Sequence, residues 1–306
     1  MKILVTGGAG FIGSHIVDGF LAQGAQAVVV DNLSTGKDAN LNPQATFHRL
    51  DICDPELGDV FERERPDLVS HHAAQIDVRK AVADPAFDAR VNLLGTLNVL
   101  ECAARVKVKK VLFASTGGAI YGEAQYLPAD EQHPIQPESP YGIHKHTAEQ
   151  YLRVFQQTQG LDYAALRYAN VYGPRQDPLG EAGVVAIFIH ALLAGREATI
   201  FGDGEQTRDF VYVGDVVRAN LLAADRSTPE PMNIGTGVGT SVNQIYGHLT
   251  KLLGIDCPPR YAEARAGEVQ HIYLAWERAR ATLGWQPQMP LEKGLGHTVE
   301  FFRSLV

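Results

Sequence analysis

Short β-branched runs, separated by longer stretches with helical spacing, fill the first half of the chain. KILVT (Lys2–Thr6), AVVVD (Ala27–Asp31), TFHRLD (Thr46–Asp51), DLVSHHA (Asp67–Ala73), KVLFAS (Lys110–Ser115) and YAALRYA (Tyr163–Ala169) read as strands. Several lack in/out alternation, as strands buried on both faces do. Phe11–Gln23 and Asp84–Val106 between them read as helices. This alternation predicts an α/β fold, a doubly wound parallel sheet covered by helices on both sides.

After Tyr168 the pattern loosens. Gly, Pro and charged residues cluster at Gly173–Gly183, Phe201–Phe210 and Arg265–Glu268, with helical stretches at Val185–Leu193 and Val242–Leu253. The expected division is a dinucleotide-binding domain over 1–168 and a smaller α/β substrate lobe over 169–306. The segment Val211–Ala224 is expected to return to the first domain.

Composition changes this picture in three ways. A formal net charge of -8 over 306 residues disfavours nucleic acid as a main partner, because phosphate backbones would be repelled. Three cysteines, Cys53, Cys102 and Cys257, form no CxxC pair, which fits structural thiols in a reducing compartment. The N-terminus lacks a basic n-region and a long apolar h-region, and no apolar run is long enough to span a bilayer. The expectation is a soluble, cytoplasmic protein with no membrane partner.

GGAGFIG (Gly7–Gly13) joins the first strand to the first helix. Gly7, Gly10 and Gly13 permit a tight turn, close backbone approach and close helix–strand packing, with free N–H groups left for a pyrophosphate. A plain strand–helix turn would look similar. The position at the first βα junction, and Asp31 ending the next strand about twenty residues on, favour a dinucleotide. A carboxylate at Asp31 repels a 2′-phosphate, so NAD is expected over NADP, with Lys37 the one nearby cation that argues otherwise. Asp51 and Ile52 would lie beside the adenine, although Asp51 could equally cap the next segment. His72, Ala73 and Ala74 end the fourth strand where the cofactor passes. Adjacent His71 and His72 point to opposite strand faces, and no carboxylate or cysteine completes a ligand set, so no metal is expected.

SPYGIHK (Ser139–Lys145) supplies candidate chemistry. Pro140 suits the first helical position with Ser139 as N-cap, and Tyr141 and Lys145 then share one helical face. A surface tyrosine near a solvated lysine would give the same spacing. As a base, a phenol of pKa ~10 needs a shift of ~3 units, or ~4 kcal/mol, to work at neutral pH. One cation at ~4 Å in an effective dielectric of ~20 supplies ~4 kcal/mol. Lys145 is therefore expected to lower Tyr141, together with a positive nicotinamide ring.

Joined to STGGAIYG (Ser115–Gly122), LRYANVYGPRQ (Leu166–Gln176), FGDGEQTRDFVYVGDV (Phe201–Val216), NIGTG (Asn233–Gly237) and LGWQP (Leu283–Pro287), these motifs resemble the extended short-chain dehydrogenase/reductase family over nearly the whole chain. Within it the similarity is to bacterial UDP-glucose 4-epimerases, which are isomerases on a Rossmann fold. The resemblance implies bound NAD, a UDP-sugar substrate and 4-epimerisation between UDP-glucose and UDP-galactose through a transient 4-keto sugar. Tyr141 would take the proton from the 4-hydroxyl, and Lys145 would tune it and hold the nicotinamide ribose.

It extends the cofactor wall to Phe11, Ile12, Asn32, Ser34, Thr35, Gly36, Gln75, Asn92 and Ala169, with a satisfied buried amide the plainer reading of Asn92. It assigns the sugar nucleotide to Thr116, Tyr141, Asn170, Val184, Ile200, Phe201, Arg208, Arg265 and Glu268. Arg208 offers a fork-shaped partner for a diphosphate, or an ion pair with Asp209. Many relatives relay the proton through a hydroxyl at the position of Gly117. Here Thr116 or Ser115 must substitute, or Tyr141 acts directly; either hydroxyl could instead only cap or bond within the turn. Gly117–Gly118 also removes the acid pair of sugar-nucleotide dehydratases. The alternative substrates are UDP-N-acetylhexosamines and UDP-hexuronates, since Val184 and Val185 replace a polar residue that some relatives place near the sugar. A non-catalytic NAD-binding sensor is a remote alternative, opposed by the presence of both Tyr141 and Lys145. A homodimer through the helices beginning near Asp84 and Ser139 is also implied.

Overall fold

The computed structural model describes residues 1–178, 183–228, 230–264 and 269–305. Its centre is a seven-stranded sheet of β1 (Lys2–Thr6), β2 (Gln26–Asp31), β3 (Thr46–Arg49), β4 (Leu68–His71), β5 (Lys110–Thr116), β6 (Asp162–Tyr168) and β11 (Met232–Ile234). The spatial order is β11-β6-β5-β4-β1-β2-β3, and every pairing is parallel. Strand order reverses between β1 and β4, so a crevice opens at their carboxyl ends, where ligands of such sheets bind.

The expected strands form with ends shifted by one or two residues. Both faces of the sheet are covered, which explains the missing alternation. Ile3 and Val5 pack toward α1 (Phe11–Ala22), while Leu4 packs on the other face against α2 (Leu57–Glu64) and α5 (Thr96–Arg105). On that second face α3 (Val78–Ala83) and α4 (Pro85–Ala89) lead into a π-helical turn at Arg90–Gly95, which then runs into α5. The single helix expected over Asp84–Val106 is thus interrupted. Thr96 Oγ1 donates to the Asn92 carbonyl at 2.8 Å within the widened turn, and such turns often mark functional positions.

α6 (Pro140–Gln159) begins as its sequence requires: Pro140 sits at the first position and Ser139 Oγ accepts from Gly142 N at 3.2 Å. It ends at Gly160, which adopts the left-handed φ of +69° favoured there.

The smaller lobe follows β7 (Asn170–Tyr172). It contains α7 (Val184–Leu193), β8 (Thr199–Phe201), β9 (Thr207–Arg208), β10 (Phe210–Tyr212), β12 (Thr240–Ser241), α9 (Val242–Leu253), β13 (Arg260–Ala262), β14 (His271–Ile272) and α11 (Leu291–Arg303). Its core joins Phe188 and Ile189 of α7 to Ile245 and Leu249 of α9 and Val299 of α11. A capping box starts α9, with Ser241 Oγ accepting from Gln244 N and Gln244 Oε1 from Ser241 N.

The halves interleave more than one boundary at residue 168 suggests. α8 (Val213–Ala224) packs on α1 within the first core, and α10 (Glu277–Leu283) joins that core through Ala279 and Leu283 beside α8 and β11. β11, not expected as a strand, forms the outer edge of the main sheet beside β6. At three residues it carries too little pattern to be read alone.

Candidate active site

The cleft has two walls. One is the β1–α1 turn. Gly7 adopts φ +70°, and a Cβ there would stand 2.6 Å from Ala73 N, so only glycine lets β1 pass β4. A Cβ on Gly13 would overlap the Gly7 carbonyl. Gly10 caps α1 without a side chain, and the first turn holds no acid, so the N–H groups of Phe11, Ile12 and Gly13 remain for an anion. This cradle fits the diphosphate of NAD.

Asp31 closes the far end. Its Oδ2 accepts from Ala9 N at 3.0 Å and its Oδ1 from Leu33 N at 2.8 Å. A Cβ on Gly36 would come within 2.8 Å of that carboxylate, so glycine keeps the loop close to it. Ser34 N donates to Asn32 Oδ1 at 2.9 Å, and Asn32 Nδ2 to Asp51 Oδ2 at 2.7 Å, so Asn32 through Gly36, with Thr35 between, fold as one loop beside Asp31. Asp51 also caps the next turn by accepting from Cys53 N at 2.8 Å. Burial raises the Asp51 carboxyl, but the hydrogen bonds from Cys53 and Asn32 and the charge of Arg90 leave it lowered overall. The side chain of Ile52 is a core group beneath Gly95. Lys37 Nζ reaches across to Asp177 Oδ1 at 3.1 Å, joining this loop to the small lobe.

The β4 end supplies the floor. His72, beside the partly buried Ala73 and Ala74, stacks near Tyr168 with Nε2 3.2 Å from its hydroxyl, and burial pulls its pKa down to about 3. His71 lies on the other face between Thr6 and Thr96. Asn92 is the satisfied amide: it is buried, with Nδ2 donating to the Gln75 carbonyl at 2.8 Å and Oδ1 accepting from Gln75 N at 3.0 Å.

The second wall is β5 with α6. Tyr141 is half-buried in the first turn of α6, and Lys145 is buried one turn on. Lys145 Nζ donates to the Ala114 carbonyl at 2.9 Å and lies 4.8 Å above the Phe113 ring. Burial pulls the lysine down to about 8, against the charges of Asp88 and Glu149. In the cofactor-free protein burial, and then the Asp88 carboxylate, push the Tyr141 phenol up.

The two candidate relay hydroxyls separate cleanly. Ser115 is buried, and its Oγ donates to Glu149 Oε1 at 2.5 Å. Glu149 is also gripped by Arg167 through Nε at 3.0 Å and Nη2 at 2.7 Å. Ser115 therefore belongs to a buried structural network, which corrects its assignment to the relay. Thr116 faces the cleft region: a Cβ on Gly118 would stand 3.7 Å from Asn170 Oδ1 and 4.0 Å from Thr116 Oγ1. A Cβ on Gly117 would overlap the Leu274 side chain, so Leu274 occupies the space a hydroxyl would need there. Nothing in the sequence near Gly117 signalled Leu274, which arrives from 157 residues away in the chain.

On the small lobe, Ala169 N donates to the Ile234 carbonyl at 3.0 Å, fixing the passage from β6 to β7, and Asn170 N donates to the Asp209 carbonyl at 2.8 Å. Arg208 Nη1 donates to the carbonyls of Thr207 and Gln270. The Asp209 carboxylate turns instead to Thr236, Gly237 and Leu274. Ile200 is buried in the lobe core, while Phe201 next to it is half-buried. Val184 is half-buried at the start of α7. Arg265 and Glu268 lie outside the described residues.

Comparisons with known proteins agree with this fold. A family model described as the NAD dependent epimerase/dehydratase family matches residues 3–235. The UDP-glucose 4-epimerase of Mycolicibacterium smegmatis is 44% identical over 310 residues, covering 99% of each chain. The UDP-glucose 4-epimerase of Thermotoga maritima, solved with UDP-glucose, superposes with a TM-score of 0.98 at 52% identity, over 100% of this chain and 99% of that one. The Thermus thermophilus UDP-glucose 4-epimerase complex with NAD gives a TM-score of 0.95 at 45% identity over 100% of both chains.

Proposed function

The chain belongs to the NAD dependent epimerase/dehydratase family, and from that premise we propose that it is an isomerase interconverting UDP-glucose and UDP-galactose, with NAD as its resident cofactor. The observation that carries the reading is Tyr141 and Lys145 on one face of α6, at the carboxyl edge of the sheet, beside a glycine-lined anion cradle. When bound there, NAD supplies reversible hydride acceptance at sugar C4.

The residues of the chain do the rest. Gly7, Gly10 and Gly13 let the first-turn N–H groups hold the diphosphate, and Asp31 takes the adenine ribose. Tyr141 Oη removes the proton of the 4-hydroxyl as the C4–H bond breaks, leaving a 4-keto sugar. It returns that proton after the sugar has turned its other face. Lys145 holds the nicotinamide ribose and, as a cation, stabilises the phenolate. Thr116 bridges the sugar hydroxyl and Tyr141, while Arg208 and Asn170 bind the UDP diphosphate. This activity supports a role in galactose metabolism. Free Cys53, Cys102 and Cys257 support a reducing compartment such as the cytoplasm, and no helix among the described residues is long and apolar enough to cross a membrane.

The same reading includes a homodimer. Exposed Ile76, Val82 and Leu94 beside α3 and α5, with exposed Ile143, Tyr151 and Val154 along α6, support a second copy seated on this face. Light scattering should give twice the monomer mass, and Ile143→Glu should return it to monomer.

The functional test adds UDP-glucose, UDP-galactose and their N-acetyl and uronate analogues to purified protein without cofactor. The anomeric protons are then followed by NMR. Interconversion of the glucose–galactose pair is expected. Turnover only of an N-acetyl or uronate pair would move the substrate, and no turnover with NAD bound would end the reading.

A further inference from the structure

Asp88 is a fully buried carboxylate on α4, outside the glycine turn and the YxxxK face, and the proposed reaction does not use it. Its two oxygens face different parts of the site. Oδ1 accepts from Gln75 Nε2 at 2.8 Å and Asn92 Nδ2 at 2.9 Å, both on the cofactor side. Oδ2 meets His144 Nδ1 at 2.6 Å. His144 lies on α6 immediately before Lys145 and three residues after Tyr141. One side chain therefore ties the loop after β4 to the helix that carries both chemical groups.

We propose that Asp88 is a positioning residue for proton transfer, anchoring α6 through His144 and the cofactor loop through Gln75 and Asn92, and that its charge sets the pH range in which Tyr141 and Lys145 work together. The inference rests on the reading of Tyr141 as the base.

A buried anion near both groups favours the protonated phenol and the protonated amine alike. It therefore moves both edges of the activity profile in one direction. Burial puts Asp88 in a medium that screens such charges weakly. The other charged or titratable groups on the elements around it are Asp77, Arg79 and Lys80 at α3, Asp84 before α4, Arg90 after it, and Tyr141, Lys145, His146, Glu149, Tyr151 and Arg153 on α6. Lys80 and Arg90 stack on the Phe87 ring at 4.8 Å and 5.4 Å. Each N–H donor on Asp88 offsets part of its negative potential, and His144 is the donor that shares a helix with the reacting groups.

The test compares kcat/KM for UDP-galactose against pH in NAD-bound wild type, Asp88→Asn and His144→Ala. In Asp88→Asn the new carboxamide would keep its oxygen on the two amides and turn its NH2 to His144, which accepts through Nδ1 in its other tautomer. The charge goes and the packing stays. Both limbs of the Asp88→Asn profile should move to lower pH by about one unit. In His144→Ala the carboxylate loses a donor, so the limbs should move up, and kcat should fall about tenfold as α6 loses its tie.

Limbs that stay in place in Asp88→Asn, or shift in the same direction in both variants, overturn the proposal even if kcat falls. Should Asp88→Asn not fold, unmoved limbs in His144→Ala overturn it. NMR titration of 13Cζ-labelled tyrosine in the NAD-bound protein, with the Tyr141 signal assigned by Tyr141→Phe, reads the same shift without turnover. Wild type that converts no sugar thus sinks the functional reading, while the tyrosine titration still decides the role of Asp88.

Discussion

The β1–α1 turn and the β5–α6 face border the same cleft, yet they are built from different material. The first is backbone. Its specificity lies in missing side chains at Gly7, Gly13 and Gly36, each position where a Cβ would strike main chain or a carboxylate. The second is side-chain chemistry held by buried polar contacts, with Ser115, Glu149 and Arg167 on one side of α6 and Asp88, His144 and Gln75 on the other. A backbone cradle fails outright when altered. A side-chain face degrades by steps, because several groups share each task.

The sharpest break of that contrast is Gly7→Val. A branched side chain at φ +70°, driven into the Ala73 backbone, should abolish NAD retention and cost at least about 3 kcal/mol of stability. Absorbance of cofactor released from purified protein and a denaturant melt would check both. Full NAD occupancy would show that the turn is not a backbone device.

Tyr141→Phe should leave the cradle whole and remove the base. We expect kcat to drop about 1,000-fold with NAD still bound, measured by single-turnover NMR.

Next come the two hydroxyls. Thr116→Ala should lower kcat about 30-fold. Ser115→Ala should change kcat less than about threefold while lowering the melting temperature, since it strips a donor from Glu149. The reverse order would return the relay to Ser115.

Lys145 gives a pH test. With its pKa lowered to about 8, activity should fall as pH rises through that value and the ribose loses its cation. Stability runs the other way. Folding lowers this pKa from 10.5, so the unfolded chain binds more protons between about 8 and 10.5, and the contribution of Lys145 to stability grows with pH across that window. Lys145→Met should flatten both trends.

The smallest effect is expected at the exposed Lys37–Asp177 pair. Lys37→Ala should change stability by less than about 0.5 kcal/mol, read as a shift in denaturant midpoint. A larger loss would mean that this contact between the lobes carries more of the assembly than its exposure suggests.

The same contrast governs what could be read from the chain beforehand. Backbone devices are local, so GGAGFIG, Asp31 and the Pro140 helix start were legible, as were the six long strands. Side-chain partnerships join distant segments. Nothing around Ser115 predicts that Glu149 accepts its hydrogen bond, nothing around Gly117 predicts Leu274, and the apolar spacing of Asp84–Val106 hides the π-turn that turns Asn92 toward Gln75. Ile52 and Ile200, both buried, show a simpler limit: an apolar residue at a strand end serves a core or a cleft, and the pattern alone does not distinguish them.

β11 bears on how the molecule is made. Its partner β6 ends at residue 168, but the strand that completes the sheet edge comes at Met232–Ile234. During synthesis, the outer flank of β6 must wait for some sixty further residues to leave the ribosome tunnel. At about 5–20 residues per second, that is several seconds with an apolar edge open to its surroundings. The nascent protein is therefore most exposed to wrong pairing just when its nucleotide fold looks finished.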